Sequence, residues 1–311
     1  MTDRVLAVVV SYNPDINVLT KLLDSLSSQV EQVVVVDNGS ANQAELSTLL
    51  AEQAKQTLLS QAENLGLGAA HNLGINFAVE QSFTHVLLLD QDSLPEADMV
   101  AQLLKAYCAA ENVEPKVAAV GATFVNTDNG SKSFFVKFGR FKFQRFYCDT
   151  DQDCGTQKEQ NLIEADCLIS SGCLMSVASL QEIGGMDESL FIDHVDTEWF
   201  LRAQNKGFKV YGCCDALMYH KLGEKTHRVK LIRERNVPQH KPFRYYYTFR
   251  NSVLLYKRGY CSWQWKFNDL QRLLSIVVMY GLICPPRWQN FQMMVKGVWH
   301  GLLGKSGKMV G

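Results

Sequence analysis

Two carboxylates spaced i, i+2 close an apolar run, Thr84-His85-Val86-Leu87-Leu88-Leu89-Asp90-Gln91-Asp92-Ser93. Alternate side chains of an extended strand share a side, so Asp90 and Asp92 project together where the strand leaves the core. Two hard oxygen donors suit Mg²⁺ or Mn²⁺ held against a diphosphate. An isolated Asp-x-Asp is more simply a solvated turn, so its surroundings must decide between the two.

The elements that would position this pair recur through the N-terminal half. Val5 to Val10 is a continuous apolar run, as expected of a strand covered on both faces. It stops at Ser11-Tyr12-Asn13-Pro14, and Leu19, Leu22, Leu23 and Leu26 then mark one face of a helix. Residues 32–36 predict a second buried strand, closed by the turn Asp37-Asn38-Gly39-Ser40. Helices over 44–56, 68–80 and 96–111 alternate with strands over 57–60 and 85–89, which predicts a mainly parallel α/β sheet with helices on both faces. Ligands of such sheets bind beyond the carboxyl ends of the strands, where Ser11-Tyr12-Asn13, Asp37-Asn38 and Asp90-x-Asp92 all fall. There Asp37 can accept a hydrogen bond from a ribose hydroxyl or a base N–H, leaving the phosphates to a metal.

A competing reading is a dinucleotide site. Gly66-x-Gly68 gives half of that fingerprint, but His71 stands where the third small residue should be, and the turn follows the third strand rather than the first. No Walker A loop occurs in the sequence.

The 311 residues, 47% of them hydrophobic, suffice for one large domain over 1–240 and a helical appendage over 241–311. A formal charge of −1 gives no global signature of a nucleic-acid partner. Nine cysteines without a Cys-x-x-Cys pair predict free thiols in a reducing cytoplasm. Cys213 and Cys214 then read as buried thiols on a strand rather than as zinc ligands with His220. The apolar N-terminus reads as the first strand, not as a secretory signal. From Phe134 to Tyr147, aromatics alternate with cations. A half-buried edge hairpin with a basic outer face explains that pattern better than single-stranded nucleic-acid binding does.

Four ordered motifs, Val8-Val9-Val10-Ser11-Tyr12-Asn13, Val35-Val36-Asp37-Asn38-Gly39-Ser40, Glu63-Asn64-x-Gly66-x-Gly68 and Leu88-Leu89-Asp90-Gln91-Asp92, resemble those of family-two inverting glycosyltransferases of the GT-A fold. Phe191-Ile192-Asp193-His194-Val195-Asp196-Thr197-Glu198-Trp199, Tyr219-His220-x-Leu222-Gly223 and Arg244-Tyr245-Tyr246-Tyr247-x-x-Arg250-Asn251 extend the resemblance to the bacterial rhamnosyltransferase branch, over about residues 4 to 255. The resemblance implies a nucleoside-diphosphate sugar donor, dTDP-L-rhamnose, and a saccharide acceptor, lipid-linked in lipopolysaccharide O-antigen or other cell-surface polysaccharide synthesis. It implies donor contacts from Ser11, Tyr12, Asn13, Asp37, Asn64, Asn72, Asp90, Gln91 and Arg250. It implies a Mg²⁺ or Mn²⁺ held by Asp90, Asp92 and His220, and a catalytic base at Asp196. Many relatives carry Glu-Asp where this chain has Val195-Asp196, so Asp193 and Glu198 stay open as alternatives at the acceptor.

An inverting transfer is one in-line displacement, needing a base on one face of the sugar and charge neutralisation on the other. Retaining enzymes need a second carboxylate as nucleophile. The acids near 196 could equally serve as favourable charge at a helix N-terminus. Among the cations between His220 and Arg258, Arg244 and Arg250 are candidates for binding phosphate of donor or acceptor.

Near the end, the apolar stretch 273–284 would span about 18 Å as a helix, short of the ~30 Å of a bilayer core. With Trp263, Trp265, Trp288 and Trp299 around it, two placements stand open. The helices lie at the cytoplasmic face of the inner membrane, or they pack on the core or on a second subunit of a homo-oligomer. Two other functions stay in view, transfer of a hexose from a UDP-sugar and a carbohydrate-binding scaffold without turnover. A processive synthase is disfavoured, because its Gln-x-x-Arg-Trp signature is missing from the sequence.

Overall fold

The computed structural model describes residues 3–51, 53, 55–127, 130–148, 161–220, 226–230, 234–238 and 240–309, with backbone alone from 220 to 238. Strands β1 (Val5–Ser11), β2 (Gln32–Asp37), β3 (Gln56–Ser60) and β4 (His85–Asp90) pair in parallel in the order β3-β2-β1-β4. The helices between them are α1 (Ile16–Leu26), α2 (Gln43–Leu50) and α3 (Leu67–Glu80). The continuous apolar run of β1 has the expected cause. Val5, Ala7 and Val9 enter one core with Leu19, Leu22, Leu23 and Leu26 of α1, while Leu6 and Val8 enter the other with Ala70 and Ile75 of α3. Each fully buried valine or leucine contributes roughly 1.5–3 kcal/mol. The α1 N-terminus is capped by Asp15, whose carboxylate accepts from Asn17 N at 2.9 Å.

Beyond β4 come β5 (Leu94–Pro95), α4 (Met99–Glu111), β6 (Val117–Asn126) and a hairpin of β7 (Phe134–Phe138) and β8 (Phe143–Tyr147). Then follow β9 (Leu162–Ala165), β10 (Cys173–Ser176), α5 (Val177–Ile183), a 3₁₀ turn at Glu188–Leu190, α6 (Val195–Asn205) and β11 (Lys209–His220). The sheet continues as β4-β10-β6-β11-β5, and β9 also pairs with β11. Its parallel character is broken where β10 runs antiparallel between β4 and β6, and where β5 and β9 run antiparallel to β11. Helix α4 begins at Met99, not 96, because Leu94 and Pro95 pair with Tyr219 and Met218.

The hairpin is a two-stranded sheet of its own, bridged to the rest through Val136 and Cys167. One expectation about its surroundings is corrected. Cys213 is a buried free thiol, but Cys214 is disulfide-bonded to Cys148, with Cα atoms 5.5 Å apart. Successive strand residues face opposite sides, and only Cys214 faces the end of β8.

A short β12 (Thr226–Lys230) and β13 (Glu234–Pro238) pair with each other and lead to α7 (Pro242–Tyr256), α8 (Trp263–Ile276), a π-helical segment (Val277–Ile283) and α9 (Arg287–Leu302). Gly297 and Gly301 let α9 lie directly against the backbone of α7, at Tyr246 and Arg250. Among the described residues no helix is long and apolar enough to cross a membrane.

Candidate active site

The register Ser11↔Asp37 and Val10↔Asp90 sets the ends of β1, β2 and β4 side by side, which brings the first three polar clusters together. Asp37 is fully buried, and its carboxylate accepts from Ser40 Oγ, Ser40 N (3.3 Å), Gln43 Nε2 (3.1 Å) and Ser11 Oγ (3.4 Å). Asn13 clasps the same turn, its Oδ1 accepting from Ala41 N at 2.8 Å. Gln91 latches the β1 end, its Oε1 accepting from Tyr12 N at 2.7 Å, and leaves the Tyr12 ring half exposed. Asn38 joins the second cluster to the glycine loop, accepting from Leu65 N (2.9 Å) and donating to Asn64 Oδ1 (3.3 Å). Asn64 Oδ1 also accepts from Gly66 N at 3.0 Å. Gly66 has φ 94°, and a Cβ there would lie 2.6 Å from Phe191 O, so the loop can approach residue 191 this closely only with glycine.

Asp90 ends β4 with its N–H donating to Ser171 Oγ at 2.9 Å, and Asp92 is exposed in the next turn. Pairing of Tyr219 with Leu94 ends β11 beside this turn, so the backbone of His220 arrives next to the Asp-x-Asp pair. The His220 side chain lies outside the described residues, as do those of the basic run through 239. Among the described residues no group of three metal-ligating side chains occurs. Asp90 and Asp92 are two hard carboxylate donors of the kind that Mg²⁺ or Mn²⁺ takes.

Across the site, Phe191, Asp193 and His194 all have φ between 62° and 65°. Each such residue costs on the order of 1–3 kcal/mol and persists only where neighbours over-determine it. Here α7 does so. Asn251 Nδ2 is within 2.8–2.9 Å of the carbonyl oxygens of Leu190, Ile192 and Asp193. Arg250 Nη2 donates to Leu190 O at 2.8 Å, and Phe191 stacks on Tyr247 at 5.1 Å. Arg244 donates from Nε (3.0 Å) and Nη2 (2.5 Å) to the two oxygens of Asp193. Although burial lowers it, the Arg244 pKa is raised overall by Asp193, with which it is paired, and by the charges of Asp90 and Asp196.

This loop delivers Asp196 to the first turn of α6. Its Oδ1 accepts from Thr197 N at 2.7 Å, and the carboxyl faces a cavity of about 620 Å³. Burial, and secondarily the charge of Asp193, push the Asp196 pKa above the ordinary aspartate range, which makes it a stronger base than a solvated aspartate. The cavity floor also holds His194, Thr248, Asp269 and Arg272. Burial pushes His194 down to about 4, so its neutral ring can accept at Nε2 from Arg272 Nη2, 2.9 Å away. Phe134, Phe138 and Phe143 of the hairpin and Trp265 of α8 form the walls. The sequence reading missed these aromatics as site residues, though their period-two spacing already predicted one apolar hairpin face.

Two expected roles are corrected. Arg250 is fully buried, donating to Asn251 Oδ1, Gly307 O and Leu190 O, and so holds the loop instead of meeting a donor. Glu198 is buried too, but its carboxylate is taken by Arg202 (2.9 Å) and Tyr260 (2.5 Å) on the far side of α6, as i, i+2 spacing on a helix dictates. Asn72 ties down the 3₁₀ turn, donating to Met186 O (2.9 Å) and Glu188 Oε1 (2.8 Å).

Comparison with known proteins places the chain among relatives of the same fold. The chain is 33% identical to the dTDP-rhamnosyl transferase RfbF of Shigella flexneri over 284 residues, covering 91% of this chain and 87% of that one. Among solved structures, S. aureus TarS 1–349 superposes with a TM-score of 0.55 at 15% identity, covering 96% of this chain and 80% of that one. GalNAc-T7 with UDP, GalNAc and Mn²⁺ gives 0.57 at 12% identity, over 70% of this chain and 43% of that one. Both share the fold. The profile of glycosyl transferase family 2 matches residues 6–177, more than half of the sequence, and the chain belongs to that family.

Proposed function

We propose that the protein transfers L-rhamnose from dTDP-L-rhamnose to a saccharide acceptor, with inversion, in the assembly of a cell-surface polysaccharide such as O-antigen. The donor follows from the likeness to the Shigella rhamnosyl transferase over nearly the whole chain. The observation that carries the reaction type is Asp196, a carboxyl with a raised pKa lining a cavity to which Asp193, the partner of Arg244, also contributes. An acceptor hydroxyl in the cavity gives its proton to Asp196 as its oxygen bonds to the anomeric carbon, and the bond to the phosphate oxygen breaks with its electron pair leaving on dTDP. Asp37 and the turn around it meet the nucleoside. Mg²⁺ or Mn²⁺ bound by Asp90 and Asp92, with His220 as a third ligand, would neutralise the leaving diphosphate. Arg244, anchored by Asp193 on the base side, adds fixed positive charge to the site. The aromatic walls suit the apolar face of a pyranose, and the acceptor saccharide is carried on a lipid.

The purified chain with Mn²⁺ and a panel of sugar nucleotides tests the donor. dTDP-rhamnose should raise the melting temperature most and should release dTDP when an acceptor is added. Stabilisation by UDP-sugars alone would contradict the rhamnose assignment. Donor binding without transfer to any saccharide would favour a scaffold.

A further inference from the structure

The C-terminal helices expose two apolar stripes. Along α8, Trp263, Phe267, Leu270 and Leu274 follow at three- and four-residue spacing, and Leu282 prolongs the row through the π-helical segment. On α9, Trp288 (68% exposed), Val295 and Trp299 (59% exposed) form the second row. Apolar surface this continuous marks an interaction site. Charge selects the occupant. Between Trp263 and Met309 the chain carries six cations against the single acid Asp269, whereas the whole chain is at −1. Arg287 and Lys296 lie on the two flanks of the α9 row, where long cationic side chains can reach anionic headgroups while the indoles sit at the boundary. A closed pair of identical chains would instead set this basic face against itself.

The surface also leads to the cavity. Asn268 of α8 donates to Gly139 O in the hairpin turn at 2.7 Å, and the exposed Phe141 at the hairpin tip packs edge-on to Phe267, 6.1 Å away. Helix α8 itself supplies Trp265 and Arg272 to the cavity. Between α7, the π-helical segment and α9 runs an apolar groove of about 270 Å³, lined by Phe249, Val277, Met294 and Val298 and reaching Val295 and Trp299 of the exposed row.

We propose that the exposed rows of α8 and α9, with the hairpin tip, seat the protein on an anionic lipid surface, with both helices lying in its plane and the cavity opening toward lipid-borne acceptor. The inference deepens the acceptor assignment above and rests on it for its purpose. Co-sedimentation of the full chain with phosphatidylcholine vesicles, with and without phosphatidylglycerol, tests it. Binding should be strong only to the anionic vesicles and should weaken with salt. Trp288→Ser/Trp299→Ser/Leu282→Ser should lower it by about tenfold or more, with the melting temperature and transfer to a soluble acceptor unchanged. Arg287→Glu/Lys296→Glu should remove the preference for anionic lipid. Wild-type protein that ignores vesicles, or a triple variant that binds as well as wild type, would overturn the proposal. So would a wild-type dimer in sedimentation equilibrium that the triple variant converts to monomer. Loss of transfer to soluble acceptor in the wild type would instead sink the functional reading and leave the lipid result intact.

Discussion

The proposed donor side and the proposed base side of this site are built in opposite ways. On the proposed donor side, four parallel strands end in polar turns, where Asn38 bonds Asn64, Asp37 bonds Ser40 and Gln43, and Gln91 bonds the Tyr12 backbone. On the base side, three residues with positive φ are held by Arg244, Arg250 and Asn251, some sixty residues further on, and hairpin and α8 enclose the cavity. The donor half is a product of sheet regularity, its residues set by the register of neighbouring strand ends. The base half stores backbone strain that is held mainly by side chains of α7.

If that contrast is right, lesions on the two sides should fail differently. The largest effect is expected from Asp90→Asn/Asp92→Asn. Turnover should fall by about 10³ or more, and donor affinity should stop responding to Mn²⁺ in calorimetric titrations. Asn251→Ala should come next, lowering kcat by roughly 10–100-fold while donor affinity stays near wild type, because it loosens the loop before Asp196 and not the strand ends. A parallel loss of donor affinity would erase the distinction between the halves.

A pH profile sharpens the comparison on the base side. A raised Asp196 pKa means that kcat should climb with pH through a value above that of an ordinary aspartate, since the base acts deprotonated. Asp193→Asn removes a neighbouring negative charge, so the acid limb should move to lower pH. A limb that stays in place or rises would show that another group titrates. The same raised pKa means that ionising Asp196 opposes folding, so its contribution favours the fold at low pH and is lost as pH rises through the folded value. The smallest catalytic effect is expected from Glu198→Gln. It should lower the melting temperature by disturbing the pairs to Arg202, Arg258 and Tyr260, and leave kcat within about threefold.

The same contrast explains what could be read in the sequence. Asp37, Asp90 and Asp92 were legible because a buried strand announces itself by composition, and the residue where it stops is then fixed at the sheet's carboxyl edge. Helix α1 was legible from Leu19, Leu22, Leu23 and Leu26, all now buried. Arg250 and Glu198 were misplaced for a different reason. Arg202, four residues on in the same helix, was a local sign for Glu198, but nothing nearby shows that Leu190 O awaits Arg250 or that Tyr260 awaits Glu198, because those contacts are set by how α7 and the segment after it dock. The cavity's aromatics were visible as an alternating pattern, but nothing local tells a hairpin face that covers a core from one that walls a cavity. The disulfide of Cys148 with Cys214 joins residues 66 apart and was likewise hidden from local pattern.

The central claim is that Asp196 takes the acceptor proton and does nothing for the donor. Single-turnover transfer from dTDP-rhamnose by Asp196→Asn, with donor affinity measured on the same preparation, tests it most directly. The account predicts a loss of roughly 10²–10⁴ in rate with donor affinity unchanged. Near-normal turnover, or a rate loss that merely follows weakened donor binding, would contradict it.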